Sequence, residues 1–254
     1  MPADRLLLLF ARSPREERRH KPLGRRTDGR RVEALHQALL ERTLEVLGKV
    51  EGADVRVATT GELDEMRALC GRRIDPARLA VEAQTGGELG ARLAHAVGRA
   101  FEDGYRQVVV VGGDAPELEP ARIEEAFARL KAGQSRPTAV LGPALDGGYY
   151  LLGLSAFAEV FTAVALGTCR AAEETAAALE ARGFSLCRLA PLGDVDDLAA
   201  VIALSARLRG ADPALRALLL SVLASPARPF SLPLTPPNDP RSKALRARGP
   251  PILD

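Results

Sequence analysis

Three acidic positions and one basic stretch carry the chemistry that residue type and spacing suggest. Val108–Val111 runs into Gly112-Gly113, and the next residue is a lone carboxylate, Asp114, before Ala115-Pro116 forces a turn. An acid at the carboxyl end of a buried strand stands where open α/β sheets bind ligands. By itself it reads more readily as an ordinary turn residue. Asp146 heads Asp146-Gly147-Gly148-Tyr149-Tyr150, in which paired glycines let the backbone approach a ligand closely. As a local signal, Asp-Gly also favours a type I′ hairpin turn. The third position is Asp194-Val195-Asp196-Asp197, between a strand pattern and a helix pattern. One of these aspartates is expected as an N-cap. Crowded carboxylates repel unless a cation neutralises them, which points to Mg²⁺ or Mn²⁺; an exposed, hydrated turn is the alternative.

The basic stretch is 12–31, with nine Arg or Lys against three acids. Following the first strand, Arg12, Arg15, Arg18, Arg19, Lys21, Arg25 and Arg26 would face the phosphates of a nucleotide and hold them by charge and forked hydrogen bonds. Runs of charge are commonly just solvated, and the Gly-Lys-Ser/Thr of a P-loop is absent. A second glycine-rich loop, Gln84-Thr85-Gly86-Gly87, opens a helix whose free N–H groups would receive an anion, with Arg92 one turn in.

Elements to position these residues follow from periodicity. Arg5–Phe10 and 107–111 read as central strands, apolar on both faces. Asp54–Thr59, Leu79–Val81, Thr138–Leu141, Tyr149–Leu154 and Phe184–Leu189 read as further strands. Helices are predicted over 32–50, where Val32, Leu35, Leu39, Leu40, Leu44 and Leu47 share one stripe, and over 62–69, 88–102, 119–131, 156–161, 170–182, 194–209 and 212–223. Alternating strands and helices give an α/β fold with a mostly parallel sheet. From Ser225 onward eight of the eighteen prolines crowd a stretch with little periodicity, read as an extended tail.

At 254 residues with 46% hydrophobic and 27% charged content, the chain has the composition of an ordinary globular protein. A net charge of +2 supplies no global field that would demand nucleic acid. The only apolar run near the start, Leu6–Phe10, is too short for a membrane span. Cys70, Cys169 and Cys187 match neither a zinc nor a disulfide spacing, which suits a reducing cytoplasm, and with three His any metal would be a hard, oxygen-liganded ion.

Taken together, Leu6–Pro14, Gln84–Arg92, Val110–Leu118, Leu141–Leu154 and Pro191–Asp197 resemble, in matching order, one family of GT-A-type transferases. It is the group often found beside radical-SAM and selenium-related genes, usually labelled glycosyltransferases, and it is similar to phospholactate guanylyltransferase. The resemblance spans about residues 5–205. It implies a three-layer nucleotide-diphospho-sugar transferase fold over 1–210, a C-terminal helix and tail over 211–254, and a divalent metal, Mg²⁺ or Mn²⁺.

The family's Gly-Ser-Asp-x-Pro-x-Leu falls on 112–118, which makes Asp114 a metal or nucleotide-phosphate residue with a catalytic role. Its Asp-Gly-Gly-Tyr-Tyr is intact at 146–150, so Asp146 would be catalytic and Gly147, Gly148 and Tyr149 would line the acceptor side. Its Asp-Val-Asp matches 194–196, which puts Asp194 and Asp196 with the metal. Gln84, Gly86, Arg92 and Gly113, with Arg12, Arg18 and Lys21 of the basic stretch, would bind the nucleotide and its phosphates. The chain departs from the pattern at Gly113 and Glu88, where the family carries Ser and Asp, and in two loops. Glu17 replaces a glycine of the first loop and His20-Lys21-Pro22 replaces Lys-Thr-Arg, while Leu166-Gly167-Thr168-Cys169 lacks an aromatic and an acid.

The implied function is metal-dependent transfer from a nucleotide-activated donor to an unknown acceptor, with a nucleotide-diphospho-sugar as donor. The alternatives are nucleotidyl transfer to a phosphorylated acceptor and a non-catalytic paralogue that keeps the fold.

Overall fold

A computed structural model describes residues 4–16, 28–133, 136–195, 197–207 and 212–224. Its strands are β1 (Arg5–Arg12), β2 (Asp54–Thr60), β3 (Leu79–Ala83), β4 (Gln107–Val111), β5 (Thr138–Pro143), β6 (Tyr149–Leu154) and β7 (Ser185–Arg188). The helices are α1 (Gly29–Lys49), α2 (Leu63–Cys70), α3 (Leu89–Glu102), α4 (Pro120–Ala132), α5 (Ala171–Ala181), α6 (Leu198–Arg207) and α7 (Pro213–Leu223).

The strands form one sheet in the order β3-β2-β1-β4-β6-β5-β7. Only β6 runs against the others, paired antiparallel to β4 and β5. The alternation of side chains along each strand divides the core in two. Leu7, Leu9, Val109 and Val111 join Leu44 and Leu47 of α1, Met66 and Leu69 of α2, and Ile123 and Phe127 of α4. Leu6, Leu8, Val108 and Val110 join Leu93 and Val97 of α3 and Ala172, Ala176 and Leu179 of α5 on the opposite face. Covered on both faces, β1 and β4 need apolar residues at every position, and the sequence supplies them.

A third apolar cluster lies behind α1. Val32, Leu35 and Leu39 pack against Val201 and Leu204 of α6 and against Leu215, Leu219 and Val222 of α7. Arg42 of α1 reinforces this packing with an ion pair to Asp212 at 3.0 Å. α1 therefore carries two apolar stripes, one for the sheet and one for the C-terminal helices.

Two local expectations are corrected. Residues 156–161 are not a helix but bends and irregular backbone with Ala158, Val160 and Phe161 buried. The Glu159 carboxylate accepts hydrogen bonds from both the backbone N–H and the hydroxyl of Thr162, a side-chain turn that competes with helix formation. Next to it α3 sits so close that a Cβ on Gly90 would lie 2.2 Å from the Phe161 carbonyl oxygen. The second correction concerns Asp146-Gly147. The β5–β6 connection is a hairpin, but among the described residues no non-glycine residue has positive φ, so a type I′ turn is excluded. Gly147 N–H instead donates to Ala144 at 3.1 Å and Ala144 N–H to Gly148 at 2.9 Å, with Gly147 at φ 93°. That is a type I turn closed by a left-handed glycine bulge.

Candidate active site at the strand ends

The chain leaves β1 toward β2 and β3 on one side and returns to β4 on the other, so the strand order reverses between β1 and β4. A crevice opens at the carboxyl ends of strands at such a reversal, and open α/β sheets bind ligands there. Two neighbouring cavities occupy this place. The first, of about 190 Å³, is lined by Phe10, Ala11, Arg12, Pro14, His36, Leu40, Gln84, Leu89, Arg92 and Gly112–Asp114. The second, of about 240 Å³, is bounded by Asp114, Asp146, Gly148, Tyr149, Leu166, Gly167, Ala171 and Asp194, among others. Phe10, Leu89, Gly112 and Asp114 belong to both. Asp114 stands at the junction.

The sheet delivers Asp114 there by ending β4 at Val111. Gly113 fits closely between its neighbours, since a Cβ would lie 3.3 Å from Leu40 Cδ1 and in ordinary contact, at 3.5 Å, with Ala11. The turn after Asp114 is held from two helices. Arg42 of α1 donates from Nε to the Pro116 carbonyl. Arg207 of α6 pairs with Glu117 at 2.9 Å. Neither arginine stands out in the sequence, since each lies within a helix pattern that explains it as a solvated charge.

On the cationic side, Gln84 of the loop after β3 reaches across the sheet. Its Nε2 donates to the carbonyls of Ala11 on β1 and Ala58 on β2, both at 3.1 Å, while its Oε1 accepts from Arg92 Nη1 at 2.9 Å. Gly86 (φ 124°) allows the loop to fold onto Arg92, where a Cβ would sit 3.1 Å from the Arg92 nitrogen. His36, 5% exposed, completes this wall and was missed in the sequence because it falls within the apolar stripe of α1. Arg15, expected among the phosphate residues, lies near Glu33 and Glu65 at 3.8 and 3.9 Å and does not line either cavity. Arg18, Arg19, Lys21, Arg25 and Arg26 fall outside the described residues.

On the acidic side, the hairpin tip places Asp146 and Gly148 at the second cavity. Asp146 accepts the Gly148 N–H at 2.7 Å. Gly147 does not line the cavity but seats the hairpin, since a Cβ there would fall 1.9 Å from the Cys169 carbonyl oxygen. Tyr149 contributes to the wall, while its hydroxyl is buried near Thr175 of α5; burial pushes this phenol up to about 12. Of the aspartates at 194–197, Asp197 is the cap, accepting the Ala200 N–H at 2.8 Å. Asp194 is left to line the cavity with Asp114 and Asp146. Asp196 lies outside the described residues. Among the described residues no three acids, histidines or cysteines stand close enough to enclose a metal ion. The acids lining the second cavity are nevertheless hard oxygen donors of the kind magnesium and manganese take.

Comparison with known proteins agrees with this architecture. A protein from Desulfovibrio desulfuricans, provisionally named a nucleotide-diphospho-sugar transferase, superposes with a TM-score of 0.71 at 24% identity, over 86% of this chain and 94% of that one. This chain shares the fold of that protein. A cytidylyltransferase from Leptospira borgpetersenii shares it at a TM-score of 0.52 and 11% identity, over 86% of this chain and 92% of its own. Residues 43–168 match the DUF2064 family, described as an uncharacterized protein conserved in bacteria. No curated protein matches the chain. Among the described residues no helix is long and apolar enough to cross a membrane.

Proposed function

We propose that this chain is a metal-dependent transferase that takes a nucleotide-activated donor, most favourably a nucleotide-diphospho-sugar. The observation that carries this reading is the division of charge about Asp114. The first cavity is lined by Arg12, His36 and Arg92, a wall suited to the anionic donor. The second is lined by Asp114, Asp146 and Asp194 and, among the described residues, by no arginine, lysine or histidine. Carboxylates accept hydrogen bonds from hydroxyl groups, so that side suits a sugar or a hydroxyl acceptor.

Asp114 and Asp194, with Asp196, would hold Mg²⁺ or Mn²⁺, and the ion would supply neutralisation of charge on the departing diphosphate. Arg92 and Arg12 add fixed positive charge for the same oxygens. Asp146 would orient the acceptor hydroxyl and take its proton. The Gly148 N–H is already engaged by Asp146, so it steadies that carboxylate.

Nucleotidyl transfer is the second reading, favoured by the sharing of this fold with a cytidylyltransferase. The lining of the second cavity weighs against it, because Asp146, the carboxylate left there once Asp114 and Asp194 take the metal, would repel a phosphorylated acceptor. The products decide between the two. Incubation with Mn²⁺, candidate sugar nucleotides and a panel of hydroxyl acceptors should release nucleoside diphosphate. Release of pyrophosphate from a nucleoside triphosphate would instead establish nucleotidyl transfer.

A further inference from the structure

Arg92 lines the first cavity with only part of its guanidinium engaged. Nη1 is fixed by Gln84 Oε1 at 2.9 Å. Nε is buried and has no hydrogen-bond partner. A buried charged donor left unpaired is costly, and of the arginines that carry one among the described residues, Arg5, Arg56 and Arg92, Arg92 is the one that lines a cavity at the strand ends. With Nη1 anchored, Nε–H and the adjacent Nη2–H form the remaining edge, two parallel donors spaced for two oxygens of one phosphate. Gln84 has no donor left for a phosphate oxygen. Both its amide hydrogens go to the strand carbonyls of Ala11 and Ala58, and its oxygen goes to Arg92.

From this geometry we propose that Arg92 is a bidentate phosphate clamp whose Nε–Nη2 edge is aimed by Gln84, so that Gln84 is a positioning residue acting through Arg92 and not a nucleotide contact. The proposal rests on the reading of the first cavity as the donor site and specifies how that site grips its ligand. Gln84 ties the clamp to β1 and β2 at the strand reversal, which sets the direction of the fork relative to Asp114. Gly86 belongs to the same device, since only a residue without a side chain lets the loop lie against Arg92.

The test is a double-mutant cycle on the full chain, read as the dissociation constant for inorganic pyrophosphate and for a panel of nucleoside diphosphates, with Mn²⁺ present. Arg92→Gln and Arg92→Lys should both weaken binding, by about tenfold to a hundredfold for a charge-assisted hydrogen-bonded pair. Lysine should not restore it, because it lacks the fork. Gln84→Leu alone should weaken binding about tenfold, and in the Arg92→Lys background should add no more than about twofold, since contacts that act as one unit are not additive. A full additional loss from Gln84→Leu in that background would overturn the positioning role. Restoration by Arg92→Lys, or no loss in Arg92→Gln, would overturn the clamp, and the arginine pair of variants decides this even if Gln84→Leu does not fold. Wild-type protein that binds none of these probes would defeat the donor site and the clamp together.

Discussion

Asp114 is the residue on which the chemical account turns. It lies at the meeting of a cationic and an acidic cavity, where donor and acceptor would face each other. Asp114→Ala should abolish turnover and leave the thermal midpoint close to wild type, because the side chain fills no core position; retained activity would remove Asp114 from the mechanism. Asp114, Asp146 and Asp194 stood out in the sequence as acids at strand ends, each with an ordinary turn or cap reading beside the chemical one, and the fold brings all three to one cavity. His36, Arg42 and Arg207 were not legible. Each sits inside a helix whose pattern already accounts for a histidine in the stripe or an arginine on the surface, and only the packing of α1 and α6 brings them to the site. The thiols allow a separate check at this scale. Cys169 is exposed, Cys187 half-buried and Cys70 buried, with burial pushing the Cys70 thiol up to about 11. Iodoacetamide near neutral pH should therefore label Cys169 first and Cys70 only on unfolding, and fast labelling of Cys70 in the native protein would contradict its place in the core.

Among the elements, β1 and β4 were readable from their unbroken apolar runs, which leave no solvent face. Leu7 of β1 is fully buried in the cluster formed with α1, α2 and α4. Leu7→Ala should cost about 2–5 kcal/mol of stability, measured by urea unfolding. A loss under about 1 kcal/mol would mean that the core closes around the missing atoms. The β5–β6 hairpin was anticipated as a turn, but its type depended on contacts that local sequence does not contain. Leu145 and Asp146 take the corners, and Gly147 takes the left-handed position against the Cys169 carbonyl. Gly147→Ala meets both an unfavourable φ and a 1.9 Å approach, so the tip carrying Asp146 must shift. This variant should lower the midpoint by the equivalent of roughly 1–3 kcal/mol and should impair acceptor use more than donor binding, as a KM comparison of the two substrates would read. The expected helix at 156–161 failed for the converse reason: a run of apolar residues was buried without being helical, and the Glu159–Thr162 turn set the local backbone.

For the whole molecule, four buried or partly buried acids of high pKa shape the response to alkali. Burial raises Cys70 from 9.0 to about 11. Burial likewise raises Tyr149 and Tyr150 from 10.0 to about 12. Tyr105 rises from 10.0 to about 12 through burial and then through the hydrogen bond it donates to Asp54 at 2.8 Å. The folded state thus keeps protons that the unfolded chain would release. Stability is intact below about pH 9 and declines as pH rises through the interval to about 12. Thermal midpoints measured across pH 7–12 should be flat at first and then fall; a midpoint that rose above pH 10 would contradict these environments.

In the proposed function, the crevice at the β1–β4 reversal binds a nucleotide-activated donor together with a divalent metal. A thermal-shift titration of sugar nucleotides and nucleoside triphosphates, each with and without Mn²⁺, tests it most directly. A ligand bound only by the native state adds about 2.7 kcal/mol at a hundredfold excess over Kd, enough to raise the midpoint by several degrees. The expected result is a Mn²⁺-dependent rise with a sugar nucleotide that Asp114→Ala abolishes. No shift with any nucleotide in the presence of Mn²⁺ would contradict it and favour a protein that keeps the transferase fold without its chemistry.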